Sequence, residues 1–496
     1  MMPQRLSKSR FVAGCQCHDL LWWKVHEPGA PELVPDISLE ERFEQGNQVG
    51  ELARTYVPDG VLIDLPHHAV KERLAATHEA LQSGAAAVYE ATFIEDSVFV
   101  AVDILERANG GYNLIEVKSS TSVKDEHIPD ITVQTHVLRK AGIDVQRMEL
   151  MHLNRECRYP DLSNLFVRAD VTAQVEDTLP QIPQAIVNQM HVIEGEFPAT
   201  GFGKHCLTGR DCPFHDRCWP KIDTRHVLTL YRTDVNTKWG LLQRGIDSIL
   251  DLPSDTSLNK LAQRQVRAIK KGAAIIGPGL AKALEPFRGR LAHLDFETVG
   301  LAVPVWEGFG PWHQMPVQFS CHVEVTPGQF EHHKFLAESG IDCRSEMAAA
   351  LVESCRGADA VVAYNAGFER NCIRKIADAV PGYATELGEI ADKLIDPLPA
   401  VRNYVYDPEF LGSFSLKNVL PALVPDLGYD DLEISEGEVA SLYLSRLLFR
   451  PHTIPEEERP TLRDNLLEYC KRDTWATVRL VETLKELATG DATTVN

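Results

Sequence analysis

Two groups of cysteines, far apart in the sequence, restrict how the first part of this chain can fold. They are Cys15 and Cys17 near the amino terminus, and Cys206, Cys212 and Cys218 much later. Thiolates are soft ligands that suit Zn²⁺ or an iron–sulfur cluster, and three close cysteines need a fourth ligand from elsewhere. The pattern therefore predicts that residues 1–225 form one domain whose two ends share a metal centre.

Length and composition indicate a multidomain protein with ordinary globular chemistry. The chain has 496 residues, more than one hydrophobic core usually holds, so we expect two or three domains. Its apolar runs are shorter than a membrane span and its start lacks a secretory signal, so we expect a cytoplasmic protein without a membrane partner. In that reducing compartment its 11 cysteines favour ligation or burial over disulfides. The net charge of −21 opposes phosphate contact over the whole surface but allows a local basic groove.

The order of predicted elements divides the chain into three parts. Strands predicted at 97–102 and 112–117, between helical segments, indicate an α/β core for residues 1–225. For residues 226–287 we predict a helical connector, with a helix-hairpin-helix as the alternative. Residues 288–490 again combine strands with long helices. The expected fold class is therefore an α/β multidomain protein.

Five polar residues of the first part form a candidate catalytic site. Asp103 and Glu116 lie on consecutive predicted strands, and Lys118 projects to the same side as Glu116 because side chains alternate along a strand. We expect the carboxylates to hold Mg²⁺ or Mn²⁺ for phosphodiester hydrolysis, while the lysine orients or helps deprotonate a water or neutralises phosphate charge. Glu90, upstream, and Gln134, on the following helix, would complete the site. Cross-strand charge pairing on a solvent face is the alternative.

A second group of acidic residues lies in the last part of the chain. Asp295 and Glu297 share one face of a predicted strand, an arrangement that is costly without a cation. Glu369 follows a buried strand and a turn. On the last helix Tyr469 and Asp473 are four residues apart and share a face, so the tyrosine stands where it could orient a water nucleophile. A metal ion is the simplest explanation of this group, and an ordinary strand end is the alternative for the first pair.

The first part resembles the RecB-like PD-(D/E)XK nucleases of the iron–sulfur type, which include AddB-like and CRISPR-associated exonucleases. The residues that carry the resemblance are Glu90, Asp103, Glu116, Lys118 and Gln134, with Gly46, Gly50 and the clustered cysteines. It implies a restriction-endonuclease-like α/β core in which Asp103 and Glu116 are metal ligands. It also implies a nucleic-acid substrate.

The same resemblance implies a [4Fe–4S] cluster at the cysteines. Its ligands would be Cys17, Cys206, Cys212 and Cys218. Cys15 is the alternative to Cys17, and Zn²⁺ is the alternative metal because four thiolates also suit a tetrahedral zinc ion. With zinc, His205 and His215 become possible ligands. We expect the centre to be structural, joining the amino terminus to the end of its domain.

The last part resembles the DEDD exonucleases of the ribonuclease H-like fold, in their tyrosine-bearing version. The resemblance rests on the order Asp-x-Glu, Asn-x-x-Phe-acid and Tyr-x₃-Asp, and it implies two-metal hydrolysis. The metal ligands would be Asp295, Glu297, Glu369 and Asp473, with Tyr469 positioning the water. The segment that begins at Tyr406 also resembles a bacterial family known only as a domain of unknown function.

These patterns predict a bacterial Mg²⁺- or Mn²⁺-dependent nuclease. We expect it to act as an exonuclease on DNA with single-stranded ends, in repair, recombination or defence. RNA is an alternative substrate for the last part of the chain. The competing class is a non-catalytic nucleic-acid-binding or scaffold protein in which one of the two sites has decayed.

Overall fold

The computed structural model describes residues 5–208 and 211–490. The chain is a multidomain α/β protein with mixed sheets, which confirms the expected fold class. It divides into two compact units: the first contains residues 1–220 and 301–313, and the second contains 221–300 and 314–496. The segment 226–287, predicted as a separate connector, thus groups with the second unit. Among the described residues, every helix is too short or too polar to cross a membrane.

The first unit is built on a seven-stranded mixed sheet. Its strands are β1 (Leu6–Ser7), β2 (Gly60–Leu62), β3 (Ala87–Glu95), β4 (Val98–Ala108), β5 (Gly111–Lys118), β6 (Val145–Leu153) and β7 (Phe166–Asp170). Strands β2 to β7 follow one another across the sheet, and β1 pairs with β4. The β2–β3 and β5–β6 pairs are parallel, whereas β3–β4, β4–β5 and β6–β7 are antiparallel.

Nine helices accompany this sheet in the described residues. They are α1 (Lys8–Gln16), α2 (His18–His26), α3 (Ile37–Thr55), α4 (Val70–Gln82), α5 (Ile128–Lys140), α6 (Thr172–Thr178), α7 (Ile182–Glu194), α8 (Lys204–Thr208) and α9 (His215–Cys218). Helix α5 starts with Pro129 in its first turn, a favoured position because that residue needs no hydrogen-bonded N–H there. It is buried from Asp130 to Leu138, so its polar residues face the interior.

A short segment between two strands of the second unit belongs to the first unit by its contacts. Within residues 301–313, the Ala302 amide donates to Gln45 Oε1 of α3 at 3.0 Å, and Trp312 Nε1 donates to the Ser119 carbonyl at 2.6 Å. Ala302 is completely buried there, in a cluster with Val49 of α3. The segment therefore completes part of the core of the first unit.

The second unit contains a five-stranded mixed sheet and a separate two-stranded one. The strands are β8 (Ile275–Ile276), β9 (Leu291–Gly300), β10 (Gln314–Thr326), β11 (Gln329–Leu336), β12 (Ala360–Val362), β13 (Leu394–Ile395) and β14 (Val405–Tyr406). The larger sheet has the order β11-β10-β9-β12-β13, antiparallel on the β11 side of β9 and parallel on the β12 side. Strand β9 is thus the central strand.

Ten helices belong to the second unit as far as residue 490, where the described part of the chain ends. They are α10 (Val235–Gln243), α11 (Lys260–Lys271), α12 (Leu280–Ala283), α13 (Arg344–Ser354), α14 (Gly367–Ala379), α15 (Ala384–Asp392), α16 (Leu398–Tyr404), α17 (Leu416–Leu423), α18 (Gly437–Phe449) and α19 (Arg459–Thr489). The long helices predicted within residues 288–490 include α19, which is 31 residues long.

Buried polar contacts fix α19 against the sheet. Thr474 Oγ1 lies 2.7 Å from Ser320 Oγ and 2.8 Å from His322 Nδ1, and Gln318 Nε2 donates to the Leu466 carbonyl at 2.8 Å. Burial lowers the pKa of His322 to about 3, so its ring is neutral and can share a proton with the hydroxyl. These contacts set the rotation of α19 and therefore the direction of the side chains that it presents to β9.

Candidate active sites and thiol centre

The structure brings four of the five residues predicted for the first catalytic site together on β4, β5 and α5, namely Asp103, Glu116, Lys118 and Gln134. Glu116 Oε1 accepts a hydrogen bond from Lys118 Nζ at 2.7 Å, and Glu116 Oε2 accepts one from Gln134 Nε2 at 2.8 Å. Asp103 Oδ2 accepts from the backbone amide that follows Glu116, at 2.7 Å. The fifth, Glu90, lies on β3 between the register pairs Tyr89–Ile104 and Ala91–Val102, and its carboxylate is 3.7 Å from Arg73. Glu90 has a positive φ of 60°, which is uncommon for a non-glycine residue and marks a local break in the strand.

Two further charged residues belong to this site, and sequence reasoning missed both. Lys8 of α1 donates to Glu116 Oε1 at 2.8 Å, and Asp130 of α5 accepts from Lys118 Nζ at 2.6 Å. Asp130 lies four residues before Gln134, so helical spacing could have indicated it. Lys8 is distant in sequence from every other member, and no local pattern distinguishes it. Glu116 and Asp130 therefore already have cationic partners.

The charges in this first site determine which groups are ionised. Burial and the nearby charge of Glu116 raise the pKa of Asp103 to about 7. Burial opposes ionisation of Glu116 too, but Lys118 and Lys8 outweigh it and hold the pKa of Glu116 below its usual range. Burial lowers the pKa of Lys118, yet Glu116 and Asp130 raise it further, to a value above that of an ordinary lysine. Lys118 is thus a cation here, suited to orienting a water or a phosphate rather than to removing a proton.

The residues predicted for the second catalytic site also converge, on the central strand of the larger sheet. Ligand atoms of Asp295, Glu297 and Cys470 all lie within 4.8 Å of one another. Glu369, in the first turn of α14, is buried, and its Oε2 atom has no hydrogen-bond partner among the described residues. The charge of Asp473 on α19 acts on both Asp295 and Glu297. Three elements therefore deliver acidic side chains to one buried point.

Cys470, which was not among the site residues predicted from the sequence, is part of this second site. Its Sγ lies 3.7 Å from Asp295 Oδ2. It directly follows Tyr469 on α19, but which face of that helix meets β9 depends on the tertiary contacts. Burial and the charge of Asp295 raise the pKa of the Cys470 thiol, so the group is a neutral thiol that can donate to the carboxylate.

Tyr429 is a further member of the second site that the sequence did not reveal. Its hydroxyl donates to Asp473 Oδ1 at 2.5 Å, and its ring centroid lies 6.2 Å from that of Tyr469. Lys417 Nζ lies 5.4 Å from the centroid of the Tyr429 ring and 5.5 Å from that of Tyr469. Asp473 is thus flanked by two tyrosines, with a cation over their rings.

Arginine pairs hold the loop that carries Tyr429. Arg472 Nη1 and Nη2 each lie 2.8 Å from an oxygen of Asp431, and Nη1 also donates to the Gly428 carbonyl. Arg479 Nη1 contacts Asp426 at 3.2 Å. A bidentate arginine–carboxylate pair fixes orientation as well as distance. The position of the Tyr429 hydroxyl is therefore determined by α19, the same helix that carries Asp473.

Replacing Tyr429 with phenylalanine is expected to reduce metal affinity or hydrolysis at the second site by about 10- to 100-fold, the usual cost of losing a hydrogen-bond partner of a metal ligand. The ring packing remains, so the melting temperature should hardly change. Mn²⁺ titration calorimetry and hydrolysis rates provide the measurement, with the half-exposed Tyr383→Phe as the matched control. Equal behaviour of the two variants would contradict a role for the Tyr429 hydroxyl.

The carboxylates of the second site resist ionisation in the absence of a metal ion. Burial, followed by the charges of Asp473 and Glu297, raises the pKa of Asp295 well above its usual range. Burial and Asp473 do the same to the pKa of Glu297. Burial, reinforced by Asp396, raises the pKa of Glu369 to about 7. Unlike the first site, this site has no lysine bonded to its carboxylates among the described residues, and the charge of Lys417 relieves only part of the repulsion on Glu297 and Asp473.

This electrostatic strain predicts how the stability of the metal-free protein depends on pH. A folded-state pKa of about 7 for Glu369, against 4.5 when unfolded, means that the unfolded chain loses its proton first as the pH rises. The free energy of unfolding of the second unit should therefore fall between about pH 4.5 and pH 7, where the shift of Glu369 lies. Urea unfolding with EDTA across this range measures the effect, and Glu369→Gln should flatten it. A stability that rises over the same range in both proteins would contradict the prediction.

The structure places four of the five clustered cysteines of the first unit around one cavity. The cavity has a volume of about 480 Å³ and its lining includes Cys17, Cys206, Cys212 and Cys218. The four thiols are close enough to act on one another electrostatically, and burial is the main cause that raises the pKa of Cys17 and Cys218. The exposed Cys15 does not line this cavity and instead lies 3.6 Å from Gln189 Nε2.

The donor atoms at this cavity fit a thiolate-bound metal centre. His205 also lines it, and its Nε2 atom is buried without a hydrogen-bond partner among the described residues. The aromatic rings of Trp23, Phe214 and Trp219 form much of the remaining wall. Four thiols suit either an iron–sulfur cluster or a tetrahedral zinc ion. His215, the other histidine considered for zinc, stacks on Trp219 with ring centroids 4.3 Å apart.

Comparison with known proteins yields one family. Residues 292–415 match a family described as a domain of unknown function (DUF2779). The match includes Asp295, Glu297 and Glu369, and it ends before Tyr429 and α19. No curated protein and no solved structure matches the chain. The matched segment is a minority of the chain and its description names no activity, so function has to be argued from the sites.

Proposed function

We propose that this protein is a metal-dependent nuclease that hydrolyses phosphodiester bonds in nucleic acid. The observation that carries the proposal is the second site, where the buried Glu297 and Glu369 and the half-buried Asp295 and Asp473 are brought together without a cation bonded to them in the described residues. Repulsion among buried carboxylates is costly, and hard divalent cations with oxygen ligands relieve it.

The residues of the second site have distinct roles in this proposal. Asp295, Glu297, Glu369 and Asp473 would hold Mg²⁺ or Mn²⁺, ions that stabilise the attacking and leaving oxygens of an in-line displacement. Tyr469 would position the water, and Tyr429 would fix Asp473 in the orientation needed to bind a cation. The mixed sheet with its acidic central strand supports a ribonuclease H-like fold of the DEDD type for this unit.

The first unit supports a second nuclease site of the PD-(D/E)XK type. Asp103 and Glu116 would hold the metal ion, and the cationic Lys118 would orient the water or the phosphate. Gln134 Oε1 is buried without a partner among the described residues, next to Glu116, which leaves an acceptor for a bound water. Because Lys8 and Lys118 already neutralise Glu116, we expect weaker metal binding here than in the second unit.

The thiol cavity supports a structural centre in the same unit. We propose a [4Fe–4S] cluster held by Cys17, Cys206, Cys212 and Cys218, with zinc as the alternative. Bound there, the centre would connect α2 with the segment that follows α7, which stabilises the unit. None of the proposed catalytic residues lines this cavity, so we assign it no step in hydrolysis.

DNA with single-stranded ends is the proposed substrate, and RNA is the alternative for the second unit. The test is cleavage of labelled single-stranded DNA and RNA by anaerobically purified protein, with Mn²⁺, Mg²⁺ or EDTA. We expect cleavage that requires the cation and yields short products from an end. A protein that binds these oligonucleotides but never cleaves them would favour the non-catalytic scaffold instead.

A further inference from the structure

A basic segment lies in the second unit, within a chain whose net charge is −21. From Thr256 to Leu284 the sequence contains no aspartate or glutamate, although the whole chain has 71 of them. The same stretch contains Lys260, Arg264, Arg267, Lys270, Lys271 and Lys282. Five of these six are on α11. Such segregation concentrates a positive potential at one helix while the rest of the chain repels polyanions.

The basic residues of α11 form one face of the helix. Lys260, Arg264, Arg267 and Lys271 are separated by four, three and four residues, the spacing of a single helical stripe. The stripe extends about 16 Å, at 1.5 Å per residue. The opposite side of the helix packs inward, where Gln265 accepts from the Tyr231 amide and donates to the Thr229 carbonyl. The helix is therefore anchored, and its direction is fixed.

The charges on this face are not neutralised by the protein. Among the described residues, Lys260, Arg267, Lys270 and Lys271 form no ion pair with a carboxylate, and all four are exposed. Only Arg264 is engaged, through a hydrogen bond from Nη1 to the Arg402 carbonyl at 2.8 Å. Lysines in the last turn also interact favourably with the helix dipole, but that effect does not explain a stripe that starts at the first residue.

Contacts within the second unit join this face to its catalytic site. Arg264 contacts Arg402 on α16, and Asp396 accepts from the first amide of α16, that of Leu398, at 2.8 Å. Asp396 also accepts from the Asn365 amide at 3.0 Å, just before the helix that carries Glu369. Helix α11 thus contacts α16, and the aspartate at the start of α16 is close enough to Glu369 to raise the pKa of that carboxyl.

We propose that the basic face of α11, formed by Lys260, Arg264, Arg267 and Lys271 with Lys270 at its edge, binds the sugar–phosphate backbone of a nucleic-acid strand. This inference rests on the proposed nuclease function and adds the surface that holds its substrate. A phosphate backbone complements a linear row of cations. An anionic membrane fits less well, because the apolar residues Ala262, Ala268 and Ile269 of α11 are buried and leave no anchor for lipid.

The test compares two double charge reversals. Arg267→Glu with Lys271→Glu changes the basic face, and Lys71→Glu with Lys485→Glu makes the same change in net charge at exposed sites elsewhere. Binding of a fluorescent 30-nucleotide DNA, the same RNA and a duplex is measured by anisotropy in Ca²⁺, with intact probe verified on a gel. Hydrolysis of bis(p-nitrophenyl) phosphate in Mn²⁺, a substrate too small to span α11, is measured in parallel.

We expect the basic-face variant to bind single strands at least tenfold more weakly than wild type, and the control to remain within twofold. The slope of log K against the logarithm of the salt concentration should also become shallower by about 1.4. Each phosphate contact on a single strand contributes about 0.7 to that slope, and two contacts are removed. Hydrolysis of the small substrate should be unchanged. Equal binding by the two variants, no binding by wild type, or binding of phosphatidylserine vesicles in preference to oligonucleotides would overturn the inference. Absent hydrolysis by wild type with intact binding would instead count against the proposed function alone.

Discussion

Replacing Asp295 with asparagine is expected to lower hydrolysis by the second unit by about 10³-fold, because a metal ligand that stabilises transition-state charge by several kcal/mol is lost. The same change should stabilise the metal-free protein. Asp295 is repelled by Asp473 and Glu297, and a neutral amide of the same shape relieves that repulsion. Loss of Mn²⁺ binding together with a higher melting temperature in EDTA is the signature of a metal site rather than of a folding role.

The control for Asp295→Asn is Asp392→Asn, an exposed carboxylate at the end of α15 in the same unit. Lys118→Ala tests the first site independently. If both sites act, each single variant retains part of the cleavage and the double variant retains none. An Asp295→Asn protein that still binds Mn²⁺ as wild type does would show that the carboxylates of the second unit are not a metal centre.

Replacing Cys17 with serine is expected to remove the metal from the thiol cavity and to destabilise the first unit. Binding free energy at a structural thiolate site contributes directly to folding. A loss of about 3 kcal/mol corresponds to a melting temperature lowered by about 10 °C for a unit of this size. Iron, sulfide and zinc analysis with visible absorbance measures the first effect, and it also distinguishes a [4Fe–4S] cluster from zinc. Calorimetry measures the second.

Cys15→Ser is the matched control, two residues away on the same segment. Cys15 is exposed and outside the lining of the cavity, so metal content and melting temperature should remain those of wild type. If Cys15→Ser loses the metal and Cys17→Ser keeps it, the distant ligand is Cys15. If neither variant changes the metal content, the cavity does not hold a cysteine-bound metal centre.

Local periodicity predicted the parts of each site that lie on one element. Alternation along a strand gave the pairing of Asp295 with Glu297 and of Glu116 with Lys118, and helical spacing gave Tyr469 with Asp473. The strands and the long last helix followed from the same signals. Where a prediction needed only the geometry of one strand or helix, the structure agrees with it.

The missing members of the sites depend on contacts between distant elements. Lys8 meets Glu116 only because α1 packs beside α5 and the sheet, and Tyr429 meets Asp473 only because Arg472 holds its loop. Cys470 was not predicted as a site residue because the rotation of α19 is set by buried hydrogen bonds to β10. Neither the packing between distant elements nor the rotation of a helix produces a periodic pattern that can be recognised in a single sequence.

Because segment 301–313 belongs to the first unit, neither unit is encoded by one continuous stretch of the gene. A stop codon after Pro220 would leave the first unit without Ala302 and Trp312, and with an open apolar gap beside Val49. A single recombination event therefore cannot transfer one complete unit without part of the other, since each unit is encoded in two stretches. Expression of either unit alone therefore requires a linker that joins its two stretches of chain.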